Sequence, residues 1–312
     1  MLTRKEFLYN NVMAAGSLLA GRSLLTEMIA DERSYKLTVL HTNDVHSRLE
    51  PFPMDGGSNQ GLGGVAARAE IIEKIRREEE QVLLLDAGDI FQGTPYFNFY
   101  KGEPEIKAMS SMKYEATTIG NHDFDAGLEN LATQLTNHAT FPMLVANYDF
   151  SGTPMEYKYQ PYKIFKKGKI KVGVFGLGIE MAGLVSDNLS AGTKYLDPIV
   201  KGNETAYQLK KEKGCDLVIC LSHLGNTYTD NKVSDKVLAT ETENIDLVIG
   251  GHTHTFLQAP IEYKNKKGEE VLVNQVGWAG INLGRLDFNF GKTSNKKLSQ
   301  ANSITVTKKT EE

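Results

Sequence analysis

The sequence predicts an α/β fold, and three observations carry that prediction. Short apolar runs recur from Tyr35 onward, as in strands buried on both faces. Amphipathic segments of helical period lie between them. Asp, Asn and His residues gather directly behind the runs, where the carboxyl ends of strands in an α/β sheet bind ligands.

The chain opens on Thr3-Arg4-Lys5-Glu6-Phe7-Leu8, followed by a small-residue apolar stretch from Val12 to Ala20. A positive segment before a short apolar one is the layout of an export signal. The order resembles a twin-arginine signal with Lys in the second position. Residues 1–34 are therefore read as an export segment, which places the protein in the periplasm or otherwise outside the cytoplasm. The competing reading is an amphipathic helix that stays on the chain. No other stretch approaches the roughly 18 apolar residues of a membrane span.

The expected strands are Leu37–Leu40, Val82–Leu85, Ala116–Ile119, Met143–Ala146, Val172–Phe175, Leu217–Leu221 and Leu247–Ile249, with Val271–Val273 and Leu286–Phe290 following. The clearest helix is Gly64–Glu79, with Val65, Ala69, Ile72 and Ile75 on one face and charged residues opposite. Glu103–Met112 and Asn203–Lys213 are further helices. Glu50–Gly63, rich in Pro and Gly, reads as a mobile loop. Residues 35–292 form one expected domain, and 293–312 a polar, lysine-rich tail that frays.

Composition narrows the function classes. The 312 residues are 40% hydrophobic and 24% charged, enough for a large core. A net charge of −4 argues against a nucleic-acid duplex as partner, since phosphate neutralisation needs excess Lys and Arg. Cys215 and Cys220 are the only cysteines. If their run is a strand, they face opposite ways and form no disulfide.

The chemistry sits behind the strands. His41-Thr42-Asn43-Asp44-Val45-His46 follows the first run, and Asp86-Ala87-Gly88-Asp89 the second. Gly120-Asn121-His122-Asp123-Phe124-Asp125, then Ser222-His223, then Gly250-Gly251-His252-Thr253-His254 follow three later runs. Of seven histidines, His46, His122, His223, His252 and His254 fall in these loops. Asp-x-His and His-x-His alternate, so both side chains of each pair face one side in an extended segment. Imidazole and carboxylate without thiolate suit borderline divalent cations. The donors exceed the four that one ion needs, which points to two ions and a displacement at phosphorus.

In this order the motifs resemble the calcineurin-like metallophosphoesterase superfamily, and Leu40 to His46 with Gly120 to Asp125 are similar to its bacterial 5′-nucleotidase branch. The resemblance runs from Lys36 to Phe290. It implies a four-layer αββα sandwich, the metallo-dependent phosphatase fold. It implies that Asp44, His46, Asp89 and His254 hold one metal, and that Asp89, Asn121, His223 and His252 hold the other. Zn, Mn, Fe and Co all accept such ligands. It further implies nucleotide hydrolysis by a metal-bridging hydroxide, with His122 assisting at the phosphoryl group and Asp125 orienting His122. The substrate is then a small phosphate ester: a 5′-mononucleotide, a 2′,3′-cyclic nucleotide or a nucleotide sugar.

Three departures qualify the resemblance. Asp123 stands where many 5′-nucleotidases carry Glu, and His254 where some carry Gln. The chain also stops where full 5′-nucleotidases continue into a nucleoside-recognising domain, so a separate chain is expected to supply it. Two other readings compete. Gly176-Leu177-Gly178 resembles a dinucleotide-binding turn but lacks the third Gly at Met181. A non-catalytic metal-dependent binding module would share the metal loops but have no need of His122 with Asp125.

Overall fold

The computed structural model describes residues 35–230, 232–291 and 296–307. Residues 1–34, expected to be an export signal, lie outside the described residues. Strand β1 spans Tyr35–Thr42, helix α1 Val65–Glu78 and β2 Val82–Asp86. Helices α2 (Pro95–Tyr100) and α3 (Glu103–Ser111) precede β3 (Ala116–Thr117), α4 (Gly127–His138) and β4 (Met143–Leu144). Short strands β5 (Tyr148–Asp149) and β6 (Tyr159–Gln160) lead to β7 (Tyr162–Lys167), β8 (Ile170–Leu177) and β9 (Lys194–Tyr195). Helix α5 (Pro198–Tyr207), β10 (Leu217–Ser222), α6 (Asp235–Glu241) and β11 (Leu247–Gly250) follow. Strands β12 (Ile261–Lys264), β13 (Glu270–Asn274), β14 (Asn282–Phe290) and β15 (Lys296–Thr305) complete the chain.

Two large sheets result. One has the order β15-β14-β1-β2-β3-β4-β6, the other β12-β13-β11-β10-β8-β7. Their central pairs, among them β1 with β2 and β10 with β11, are parallel. At one end of the first sheet β15–β14–β1 is antiparallel, as are both outer pairs of the second, while β4–β6 at the other end of the first is parallel. Side-chain alternation explains why the strands read as unbroken apolar runs. Leu37, Val39, Leu83 and Leu85 join Val172, Val174, Leu217 and Leu221 in one core between the sheets. Leu40 and Leu84 face the other way, into a second core with Ile72, Ile106 and Leu131 of α1, α3 and α4. Leu177, Cys220 and Val248 face a third core with Ala206 and Leu238 of α5 and α6. Helix, sheet, sheet, helix is the expected αββα sandwich.

Several expectations are refined. Helix α5 starts before Asn203, because Asp197 caps it by accepting the N–H groups of Ile199 (2.8 Å) and Val200 (3.1 Å), with Pro198 in the first turn. It widens into a π-helical turn over Gln208–Glu212. Cys215 precedes its strand, so the opposite-face argument does not apply. Both thiols are free and buried in one core.

The C-terminal tail is the clearest correction. It does not fray over its described part: Lys296–Thr305 forms β15, paired antiparallel with β14 from Asn282↔Thr305 to Phe290↔Lys296. Leu298 and Ala301 pack against the inter-sheet core, and Ile304 against the outer one. Edge pairing is made by backbone groups, so a polar, lysine-rich strand suits this position.

An ionic cluster ties β1 to β14 and the end of α1. Buried Asp287 accepts from Thr38 Oγ1 (2.8 Å) and pairs with Lys36 and Arg285 (both 2.9 Å), which also reach Glu79. Burial opposes charging Asp287, but the bonds from Arg285, Lys36 and Thr38 prevail and hold its pKa below 3.8. A depressed carboxylate stabilises the fold above its unfolded pKa, and the benefit vanishes as pH falls through the folded value. Asp287→Asn is therefore expected to cost about 3 kcal/mol at pH 7, or about 6–12 °C in Tm. The difference from wild type should shrink below about pH 4. Melting curves at pH 7 and pH 3 check both.

Candidate metal centre

The carboxyl ends of β1, β2, β10 and β11 converge from both sheets on one edge, and the loop after β3 joins them. Close approach there requires glycine. A Cβ on Gly120 would collide with the Asp89 carboxylate, and one on Gly251 would lie 2.8 Å from His223 Nδ1. The loops also hold unusual backbone. Asp44, His46, Asp89, His252 and His254 all have positive φ, between 51° and 71°. Non-glycine residues rarely adopt that region, and such strain concentrates at functional sites.

All seven expected ligands meet there. Asp44, His46 and His254 offer one set of donor atoms within 4.8 Å of one another, and Asp89, His223 and His252 a second. His46 Nε2 and His254 Nε2 lie 2.9 Å apart, with His254 Nε2 3.5 Å from Asp44 Oδ1. Asn121 Oδ1 lies 2.8 Å from His252 Nδ1. Asp89 Oδ2 lies 3.1 Å from His223 Nε2 and 3.8 Å from His46 Nε2, so Asp89 stands between the sets.

The donor set fits divalent cations on two observations. His223 Nδ1 meets the Ala87 carbonyl at 2.7 Å, a contact that places the proton on Nδ1 and leaves Nε2 a free donor. That Nε2 is wholly buried, and despite its nearness to Asp89 it makes no hydrogen bond. Second, two facing imidazole nitrogens at 2.9 Å suit two ligands of one ion.

Electrostatics agree. Burial raises Asp44. Burial also opposes charge on Asp89, but the His223 and His46 imidazoles pull it low. Burial disfavours a charged His223, yet Asp89 and Asp44 hold it up at about 10. His252 and His254 are pushed down to about 4, chiefly by burial. Two buried carboxylates beside these imidazoles thus favour positive charge in the cluster, which a bound divalent cation would supply.

His122 and Asp125 stand at the mouth. His122 Nδ1 lies 2.9 Å from Asp125 Oδ2, and that bond is the main cause raising the His122 pKa. The His122 ring lies 5.3 Å from that of His46 and is part-exposed. Its backbone N–H donates to Asp89 Oδ1 at 2.8 Å.

Some supporting roles escape motif reading, including that of Asp123 inside a motif. Asp123, buried, accepts N–H bonds from Asp89, Ile90, Phe91 and Gly120 at 2.8–3.2 Å and so locks two loops together. Asp235 accepts from Ser222 Oγ (2.5 Å) behind Gly250. Trp278 stacks on His254, centroids 5.7 Å apart and planes 9° from parallel, and meets Phe52 edge-on. Trp278 is the chain's single tryptophan, the one signal that could have marked it. His41, beside the first motif, is a buried neutral residue against Asn274 Nδ2, its pKa pushed down to about 3 by burial.

The model of the calcineurin-like phosphoesterase family matches residues 37–256. The chain belongs to that family. This phosphoesterase is 36% identical to snake venom 5′-nucleotidase of Crotalus adamanteus over 88% of its own length and 49% of the relative's. The crystal structure of a 5′-nucleotidase precursor from Thermus thermophilus superposes with TM-score 0.79 at 31% identity, covering 88% of this chain and 55% of that one. A Haemophilus influenzae NAD nucleotidase follows with TM-score 0.76 and 26% identity, over 88% and 57%. The chain spans about half the length of the curated relatives it matches. Membership of that family and the similarity to 5′-nucleotidases support a metal-dependent phosphoester hydrolase. Among the described residues no helix is long and apolar enough to cross a membrane.

Proposed function

We propose that this phosphoesterase hydrolyses nucleotides at a centre of two divalent cations. Asp44, His46, Asp89 and His254 would hold one, and Asp89, Asn121, His223 and His252 the other, with Asp89 common to both. The observation that carries the reading is the pair of donor sets, three residues each, at one sheet edge with Asp89 within reach of both. When bound, the cations supply Lewis acidity and lower the pKa of water. The chain's own residues do the rest. Asn43 Nδ2 donates to Asp44 Oδ2 at 2.7 Å and the His252 N–H donates to the same carboxylate, which together fix its direction. The Asp125 carboxylate holds the His122 imidazole toward the mouth, where it stabilises charge on the phosphoryl oxygens and gives a proton to the leaving oxygen.

The relatives' names support nucleotides as the substrate class. A phosphate-release screen over 5′-mononucleotides, 2′,3′-cyclic nucleotides and nucleotide sugars, with Zn, Mn, Fe and Co in turn, tests it. Turnover of simple aryl phosphates with none of these nucleotides rejects the nucleotide assignment. Export is proposed on the layout of residues 1–34, and cell fractionation tests it.

A chelator is expected to abolish turnover and lower Tm. A ligand at about 100 times its Kd contributes about 2.7 kcal/mol per site, which chelation removes. An unchanged melting curve after complete metal removal contradicts the centre. The non-catalytic module is disfavoured by His122–Asp125, a pair that metal binding alone does not use.

A further inference from the structure

Asp86, the last residue of β2, is 1% exposed and belongs to neither donor set. A buried carboxylate is costly unless its oxygens are satisfied, and Asp86 satisfies both. Oδ1 accepts the Gly88 N–H at 2.9 Å and faces Thr117 Oγ1 at 3.0 Å, a hydroxyl shared with the Thr118 carbonyl at 2.9 Å. Oδ2 accepts from Thr42 Oγ1 at 2.6 Å. Because Thr42 gives its one proton to Asp86, it accepts from the Tyr114 hydroxyl, 2.9 Å away. Thr42 and Thr117 are wholly buried, and Tyr114 is 3% exposed. Burial pushes the Asp86 carboxyl up, while the bonds from Thr42, Gly88 and Thr117 and the charge of nearby Arg68 favour its ionised form.

Every one of these partners leads to donors of the metal centre. Thr42 ends β1, two residues before Asp44, and Thr117 ends β3, four residues before Asn121. Gly88 precedes Asp89 in a turn where their φ values are 87° and 53°. Such a conformation of Asp89 persists only when its surroundings over-determine it. The same turn frames the other donors. The Gly88 carbonyl accepts the Asp44 N–H at 2.9 Å, and the Ala87 N–H donates to the Thr42 carbonyl at 3.0 Å. The Ala87 carbonyl meets His223 Nδ1 at 2.7 Å. One carboxylate thus clamps the ends of three strands of the first sheet, and the turn it holds fixes the direction of His223 from the second.

We propose that Asp86 is a positioning residue of the metal centre: it sets the 87–89 turn, and through it the spacing of both donor sets. The proposal rests on the metal reading above. Asp86 acts through Gly88, Thr42 and Thr117 rather than on a cation.

Calorimetric titration with Mn²⁺ tests it on wild type, Asp86→Leu, Asp86→Asn and Asp287→Asn, with Tm read alongside. Asp86→Leu removes every acceptor, so both Mn²⁺ sites are expected to weaken about 10–100-fold, the range for residues that support metal ligands. Asp86→Asn is expected to recover most of that loss. Its Oδ1 still accepts from Gly88, and its Nδ2 donates to Thr42, which then turns its own proton to Tyr114. Asp287→Asn should lower Tm and leave both affinities unchanged, which separates positioning from lost stability. A folded Asp86→Leu protein with wild-type affinity at both sites overturns the proposal, and so does an Asp287→Asn protein whose affinities fall as far. Should Asp86→Leu fail to fold, the double variant Thr42→Val, Thr117→Val takes its place. It frees the carboxylate from β1 and β3 and is expected to weaken both sites by about ten-fold, the lower end of that range; unchanged affinities overturn the proposal. A wild type that binds no divalent cation refutes the metal reading itself, and this proposal with it.

Discussion

Asp89→Ala is expected to remove cations and phosphoester hydrolysis together. The Asp89 carboxylate is buried, faces His223 and His46 from the two donor sets, and takes the His122 N–H on its other oxygen. Through its two oxygens it links both donor sets to the backbone of His122. Losing an outer partner of a metal ligand weakens binding roughly 10–100-fold. Loss of a shared ligand should exceed that, at both sites. His223 and His46 would also lose the negative charge that holds them in place. Metal content by elemental analysis and phosphate release on the same sample check the coupling. Two equivalents of metal in an active Asp89→Ala protein would remove Asp89 from the centre.

The second large effect separates chemistry from metal binding. His122→Asn is expected to keep both cations and lower kcat by about 10²–10⁴-fold, the contribution of a positioned acid or base. The side chain is part-exposed at the mouth and bonded to Asp125, and its ring contacts His46 only edge-on. Truncating it therefore leaves both donor sets standing. Asp125→Asn should be milder, because it loosens the orientation of His122 and leaves the imidazole present. Unchanged turnover of a good phosphomonoester or phosphodiester by His122→Asn rejects the catalytic role and favours a binding module.

Much of this architecture was legible in the chain. Strands buried on both faces announce themselves as unbroken apolar runs, so β1, β2, β8, β10 and β11 could be read directly. Strand β15 could not. Leu298, Ala301 and Ile304 are scattered among polar residues, and its pairing is with backbone groups of β14, which composition does not encode. Helix α5 was placed late because its start depends on one cap, Asp197, rather than on periodicity. Residues that bear chemistry were visible because Asp, Asn and His are costly behind buried strands unless something uses them.

By itself the sequence determined the layers and the chemical identity of the donors, since both follow from local periodicity and from side-chain types next to strand ends. Only the tertiary structure decided the distances by which the donors gather into two sets with Asp89 between them, and that Asp123 and Trp278 pack against these loops. Those facts depend on distances between segments remote in the chain, such as Asp44 and His252 or Ala87 and His223. The packing of two sheets against each other sets such distances, and no stretch of neighbouring residues encodes them.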